Sequence, residues 1–187
     1  MKITRNQFLK LIPAAALTLT GCGSKVQPAN TESLVFSHHY QLDYAQQFTA
    51  DCYEGGYTML TIAESDARFL VVPEDAAEVD GLPADVTVLR QPVENIYLVS
   101  TSVMDLLLHL DALDSVAFSG TKAEGWYLPE VKQAMEEGKI AYAGKYSAPD
   151  YEQILAAGCR LAIENTMILH TPEVKEQLEH FGIPVLV

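Results

Sequence analysis

The chain has 187 residues, of which 25 are acidic and 12 basic, giving a formal net charge of −13 at pH 7. This balance argues against nucleic-acid binding, because recognition of phosphates needs clustered Lys and Arg. The length is sufficient for one domain with a substantial hydrophobic core.

The first 21 residues have the pattern of a secretory signal. Three basic residues precede an apolar run at residues 11–19, which is shorter than the roughly 20 residues of a membrane-spanning helix. The motif Leu19-Thr20-Gly21-Cys22 resembles the bacterial lipobox, which implies lipidation of Cys22 and cleavage before it. We therefore expect residues 1–21 to be a signal peptide. We also expect the mature protein to be extracytoplasmic and held at the cell membrane by its lipid. The alternative is an ordinary secretory signal with a chance cysteine.

Without that signal, the chain has 166 residues with 9 basic and 25 acidic side chains, a formal charge of −16. Residues 23–33 are small and polar, which is typical of a flexible tether, and we assign residues 22–39 to the lipidated cysteine and tether. Cys52 and Cys159 either form a disulfide or remain two free thiols. The pair His38-His39 lacks further ligands at zinc spacing, so we predict no metal site.

A small antiparallel β element is expected next. Residues 48–53 and 57–62 are rich in aromatic and β-branched side chains and flank Glu54-Gly55-Gly56, a pattern typical of a hairpin. Residues 69–72 are predicted to form a third strand that ends at Pro73, and the acidic segment 74–85 a loop.

Strands and helices alternate after Val86. Proline begins several of the predicted helices and glycine follows their ends, as expected from the conformational preferences of these residues. The predicted strands are 96–99, 116–118, 140–143, 160–163 and 183–187, and the helices between them end at Leu113, Gly138, Gly158 and Gly182. Such alternation predicts an α/β domain with a doubly wound, mainly parallel sheet.

In open α/β sheets, ligands bind beyond the carboxyl ends of the strands. The loops at those ends contain our candidate ligand-binding residues, which are Ser100, Thr101, Ser102, Trp126, Tyr127, Tyr146 and Asn165. Ser102 and Asp105 have the spacing of a capping-box pair, and the helix that they begin would suit an anionic group. The loop aromatics either contact a ligand or cover an edge of the core. Sequence motifs of hydrolases and phosphate-binding loops are absent, so we do not expect an enzyme.

The order of lipobox, tether, hairpin and βα units resembles the solute-binding lipoproteins of ABC importers, in the branch that captures iron–siderophore complexes, haem and cobalamin. The similarity is carried by residues 96–105, 144–155, 160–166 and 181–185. It implies two α/β lobes joined by a long helix with the ligand between them. Residues 40–187 would then be the N-terminal lobe, and we expect the C-terminal lobe to be missing. The family often has Ser-Pro-Ser where this chain has Ser100-Thr101-Ser102.

The resemblance also implies roles for two further positions. Tyr146 matches the place of an aromatic residue that contacts the ligand, and Glu152 matches a carboxylate that docks an arginine of the permease. The alternative for Glu152 is an ordinary glutamate in the first turn of a helix, stabilised by the helix dipole.

We therefore expect a monomeric, lipid-anchored substrate-binding component of an ABC importer, without a cofactor, that delivers an iron-siderophore-type metal chelate to its permease. Cobalamin or haem is the alternative ligand on the same fold. A bare-metal binder would need partners for Glu164, and no histidine stands beside it in its loop. Alternatives of another class are a lipid-anchored hydrolase and a structural surface module.

Overall fold

The computed structural model describes residues 29–30, 34–63, 65 and 67–187. Cys22, the predicted signal peptide at residues 1–21 and most of the predicted tether lie outside the described residues. The described chain is a mixed α/β structure built around two five-stranded sheets.

The first sheet is mainly antiparallel, and its strands lie side by side in the order in which they occur in the chain. Beside it, two short strands pair with each other in parallel. The strands of this part are β1 (Ala29–Asn30), β2 (Phe36–His39), β3 (Phe48–Tyr53), β4 (Thr58–Ile62), β5 (Arg68–Val72), β6 (Val79–Asp80) and β7 (Val86–Arg90). Strands β2 to β5 run antiparallel to their neighbours, whereas β7 pairs with β5 in parallel.

The predicted hairpin is confirmed, since β3 and β4 pair from Phe48 opposite Ile62 to Cys52 opposite Thr58. Two expectations about this sheet are wrong. The tether does not extend to residue 39, because β2 pairs with β3. The segment 74–85 is not purely a loop, because it contains β6. Strand β7 was not predicted.

The second sheet is entirely parallel, with the order β10-β9-β8-β13-β14. The elements of this part of the chain are β8 (Ile96–Leu98), α1 (Thr101–His109), β9 (Val116–Ser119), α2 (Pro129–Glu136), β10 (Ala141–Tyr142), β11 (Gly144–Lys145), β12 (Ala148–Pro149), α3 (Tyr151–Ala156), β13 (Leu161–Ile163), α4 (Pro172–His180) and β14 (Val185–Leu186). Strands β11 and β12 pair with each other in a separate antiparallel hairpin. The chain adds β9 and β10 on one side of β8 and then crosses to add β13 and β14 on the other side.

Helices cover both faces of this parallel sheet. Ile96 and Leu98 belong to a buried cluster that includes Met104 of α1 and part of α2. Tyr97 belongs to a second cluster that includes Ile154 of α3 and part of α4. Because both faces are buried, the strands are apolar at successive positions rather than at alternate ones.

Two helix boundaries differ from the predicted ones. Helix α1 ends at His109 instead of Leu113, because Asp111 takes a left-handed conformation with φ 54° that a helix does not continue through. Pro149 lies in β12 and does not begin a helix. Instead, Asp150 caps α3 by accepting a hydrogen bond from the Gln153 backbone N–H at 3.1 Å.

The two sheets share one hydrophobic core. Phe69 of β5 and Leu89 of β7 belong to the same buried cluster as Ile96 and Leu98 of β8. The first sheet therefore packs against the parallel sheet rather than forming a separate unit. Within the described ranges, the structure contains no helix with the length and apolar character needed to cross a bilayer.

Candidate ligand site at the carboxyl edge of the parallel sheet

The strand order at the centre of the parallel sheet is of the kind that opens a crevice at the carboxyl edge. Strands β8 and β13 are neighbours, with Leu98 opposite Ile163, and the strand order changes direction between them. The loops that leave two such strands diverge, which opens a space for ligands. The Ser100 backbone lies beside β13 there, with its N–H donating to the Ile163 carbonyl at 3.4 Å.

The loop after β8 carries three of the predicted site residues. Ser100 is buried and precedes α1, while Thr101 and Ser102 are exposed. The hydroxyl oxygens of Ser100 and Ser102 lie 3.2 Å apart, and the N-terminus of α1 has no side-chain cap. The predicted Ser102–Asp105 capping pair is therefore wrong. His109 Nδ1 lies within hydrogen-bond distance of the Asp105 backbone carbonyl oxygen, at 2.8 Å, and is 3.6 Å from the Asp105 carboxylate.

Glu164, directly after β13, is the most unusual polar residue of this edge. It is 3% exposed, and both carboxylate oxygens are buried without a hydrogen-bond partner among the residues that the structure describes. Burial disfavours the charged form and raises the pKa of Glu164 from 4.5 to about 7. The carboxyl group is therefore partly protonated at neutral pH.

Two tyrosines are close enough to Glu164 to respond to its charge. Burial raises the pKa of the Tyr97 phenol, and the charge of Glu164 adds to the effect. Burial also raises the pKa of Tyr151, with further contributions from Glu173 and Glu164. Ala162, two positions before Glu164, belongs to the buried cluster on the side of the sheet that carries α3 and α4.

Asn165 is half-buried in the loop after β13. Its side-chain oxygen accepts a hydrogen bond from the Met167 backbone N–H at 2.9 Å and begins a 3-10 turn at residues 166–170. A cap of this kind uses the carbonyl oxygen, so the side-chain NH₂ is the group that could donate to a ligand.

Tyr146 lies in the tight β11–β12 hairpin that follows β10. Gly144 begins the hairpin with φ +85°, and a Cβ atom there would overlap the Ala148 carbonyl oxygen. The Tyr97 hydroxyl donates to the Gly144 carbonyl at 3.0 Å and so joins the hairpin to β8. The half-buried Tyr146 packs against the buried cluster on the α3 and α4 face.

The structure separates the two aromatic residues predicted after β9. Trp126 is 2% exposed and packs in the core. Its indole N–H donates to Ser119 Oγ at 3.1 Å and to the Thr121 carbonyl at 3.2 Å. The Trp126 ring therefore holds this loop through hydrogen bonds inside the core. It does not lie on the accessible surface of the loop. Tyr127, in contrast, is 77% exposed.

Glu152 is exposed in the first turn of α3. A carboxylate at this position is stabilised by the helix dipole. Its role in docking a permease stays a prediction.

A separate cavity of about 840 Å³ lies between the first sheet and the β14 side of the parallel sheet. Its lining includes the ion pair of Arg68 and Asp85, whose Nη2 and Oδ2 atoms are 2.6 Å apart. The other side is lined by Leu169, Lys175 and Val187. The sequence analysis did not anticipate this cavity, because residues distant in the chain form it.

Other titratable residues of the described chain do not form a metal site, since no group of three or more His, Cys, Asp or Glu side chains is suitably placed within it. Cys52 and Cys159 are both free thiols, which decides between the two alternatives left open by the sequence. His39 contacts Asp51, with Nδ1 2.7 Å from Oδ1.

Sequence reasoning named the loops of this edge but did not place Glu164 among the ligand-binding residues. The available signal was an acidic residue directly after the apolar strand 161–163. Comparisons of the chain with protein-family models, with curated protein sequences and with solved structures gave no match.

Proposed function

We propose that this chain is an extracytoplasmic, lipid-anchored substrate-binding component of an ABC importer that captures an iron-siderophore-type metal chelate. In this proposal, the parallel sheet and its helices are a doubly wound, Rossmann-like lobe of a binding protein. The observation that carries it is the carboxyl edge between β8 and β13. The buried polar residues Ser100 and Glu164 follow these neighbouring strands, at a change of strand order.

The chemistry of this edge suits a bulky organic ligand with several polar groups. The exposed Tyr127 and the half-buried Tyr146 offer aromatic surface, which contributes large contact areas in binding sites. Ser102 and the amide of Asn165 offer hydrogen-bonding groups. Trp126 has a supporting role in this proposal because its ring is in the core.

Two other functions remain as alternatives. Cobalamin or haem would use the same aromatic and polar groups on the same fold. A lipid-anchored hydrolase would need a base beside a nucleophile. In the described part of the edge, the hydroxyl groups of Ser100 and Ser102 contact each other, and neither makes a hydrogen bond with a histidine.

Titration calorimetry with ferric siderophores, haem and cobalamin tests the proposed ligand class. We expect saturable binding of a ferric siderophore, weakened by about tenfold or more in Asn165→Ala and Tyr127→Ala. Glu94→Gln is the control, because Glu94 is exposed before β8, at the opposite edge of the sheet. A folded protein that binds none of the three ligand classes would contradict the proposal.

The membrane anchor needs an independent measurement. Cells that express the full chain should incorporate labelled palmitate into it, and Cys22→Ser should abolish the incorporation. Labelling that persists in Cys22→Ser would show that lipid is attached elsewhere.

A further inference from the structure

Glu164 raises a question that the fold alone does not answer. A buried polar group without a hydrogen-bond partner is costly and is rare in folded proteins. Glu164 is 3% exposed, and no described group donates to either carboxylate oxygen. A nonpolar side chain would fill the same space without this cost. The buried carboxyl group is therefore a candidate for a hydrogen bond with a bound molecule.

Three hydroxyl groups at this edge of the sheet already have other hydrogen-bond partners. The Tyr97 hydroxyl donates to the Gly144 carbonyl, and the hydroxyl groups of Ser100 and Ser102 lie within hydrogen-bond distance of each other. Both carboxylate oxygens of Glu164 remain without a described donor, so a bound molecule can supply one.

We infer that Glu164 recognises a positively charged nitrogen group of the ligand, such as an ammonium or a guanidinium group. This inference rests on the proposed function and specifies the substrate class as metal chelates that carry such a group. An N–H donor with positive charge satisfies a carboxylate better than a neutral donor does. Both oxygens are covered, so binding requires Glu164 to change rotamer or its surroundings to move aside.

The net charge of the molecule favours a cation over an anion at this position. The chain carries a formal charge of −13, which raises the local concentration of cationic ligands and lowers that of anionic ones.

A matched pair of chelates tests this inference on the full chain. Ferric desferrioxamine B carries a free ammonium group, and its N-acetylated form lacks that charge. We expect the wild-type protein to bind the ammonium form at least about tenfold more tightly, which corresponds to about 1.4 kcal/mol. Glu164→Gln should remove the preference for the ammonium form. Glu164→Met provides a second variant of similar volume, and Glu94→Gln is the control.

The second measurement does not depend on a chelate. The ¹³C signal of the Glu164 carboxyl, assigned by its absence in Glu164→Gln, is followed in a pH titration with and without butylammonium chloride. We expect the cation to move the titration of this carboxyl to lower pH.

The outcomes separate the two proposals. Equal affinity of the wild-type protein for both chelates would overturn the role of Glu164 but leave the proposed function standing. Binding of neither chelate would count against the proposed function. The butylammonium titration would then decide the role of Glu164, which an unchanged titration curve would overturn.

Discussion

At the scale of single residues, the buried carboxyl of Glu164 links stability to pH. Burial raises its pKa from 4.5 to about 7, so the folded protein holds this proton more tightly than the unfolded chain does. The stabilisation from proton binding is complete below about pH 4.5 and is lost as the pH rises through about 7. The difference between the pKa values of Glu164 in the folded and unfolded states corresponds to about 3 kcal/mol in the free energy of unfolding.

We therefore predict that Glu164→Gln changes the pH dependence of unfolding. Urea unfolding at pH 5 and at pH 8 should show that the wild-type protein loses about 2–3 kcal/mol relative to the variant over this interval. Glu94→Gln, at an exposed position, should follow the wild-type profile. Parallel profiles for wild type and Glu164→Gln would show that Glu164 titrates normally in the folded state.

The single tryptophan offers a second test at this scale. Trp126 is 2% exposed and donates two hydrogen bonds, so its fluorescence should be shifted to short wavelength and resist quenching by iodide. Trp126→Phe should lower the free energy of unfolding by about 1–2 kcal/mol, because Ser119 Oγ and the Thr121 carbonyl lose a donor. Strong iodide quenching of the folded protein would contradict the observed burial.

These two residues show why the site was only partly predictable from the sequence. The strand ends at Ser100 and Asn165 follow from local pattern, and both lie at the expected edge. The burial of Trp126 and Glu164 depends on packing between distant segments, which a linear pattern does not contain. A glutamate after a strand is ordinarily expected to reach solvent, and the sequence left open whether the loop tryptophan contacts a ligand or covers the core.

At the scale of elements, the β11–β12 hairpin depends on one glycine. Gly144→Ala should destabilise the protein more than Gly138→Ala does. Both residues have positive φ, but a Cβ atom on Gly144 would overlap backbone atoms, whereas one on Gly138 meets nothing within 4 Å. The left-handed conformation alone costs about 1–2 kcal/mol. Urea unfolding of both variants measures the difference, and equal losses would contradict the packing at Gly144.

Elements with local signals were the most predictable ones. Helices α2 and α4 begin at Pro129 and Pro172 as expected, since proline suits the first turn. Pro149 carries the same signal but lies in a strand pair with Gly144, because that pairing defines the hairpin. Strand β7 has the sequence Val-Thr-Val-Leu-Arg, a β-branched signal that the sequence analysis missed, and it pairs with β5 in parallel.

At the scale of the whole molecule, the core shared by the two sheets predicts cooperative unfolding. Phe69 is 4% exposed and belongs to the cluster that contains β8 residues and Trp126. Phe69→Ala should therefore cost about 3–5 kcal/mol and destabilise both sheets together. Val88→Ala, at a position 45% exposed on β7, should cost about 0.5 kcal/mol or less.

Circular dichroism and Trp126 fluorescence should report the same unfolding midpoint for the wild-type protein and for Phe69→Ala. Two separated transitions would show that the first sheet unfolds independently of the parallel sheet.

The order of the parallel strands has a consequence for folding of the chain. Strand β8 has one neighbour, β9, close in sequence, but its other neighbour is β13, with Ile96 opposite Leu161. Until Leu161–Ile163 is in place, one side of an apolar central strand has no partner, and such unpaired edges invite intermolecular pairing. An intermediate in which β8 has paired with β9 but not with β13 is therefore exposed to aggregation, and a chaperone that binds the β8 segment at that stage would raise the yield.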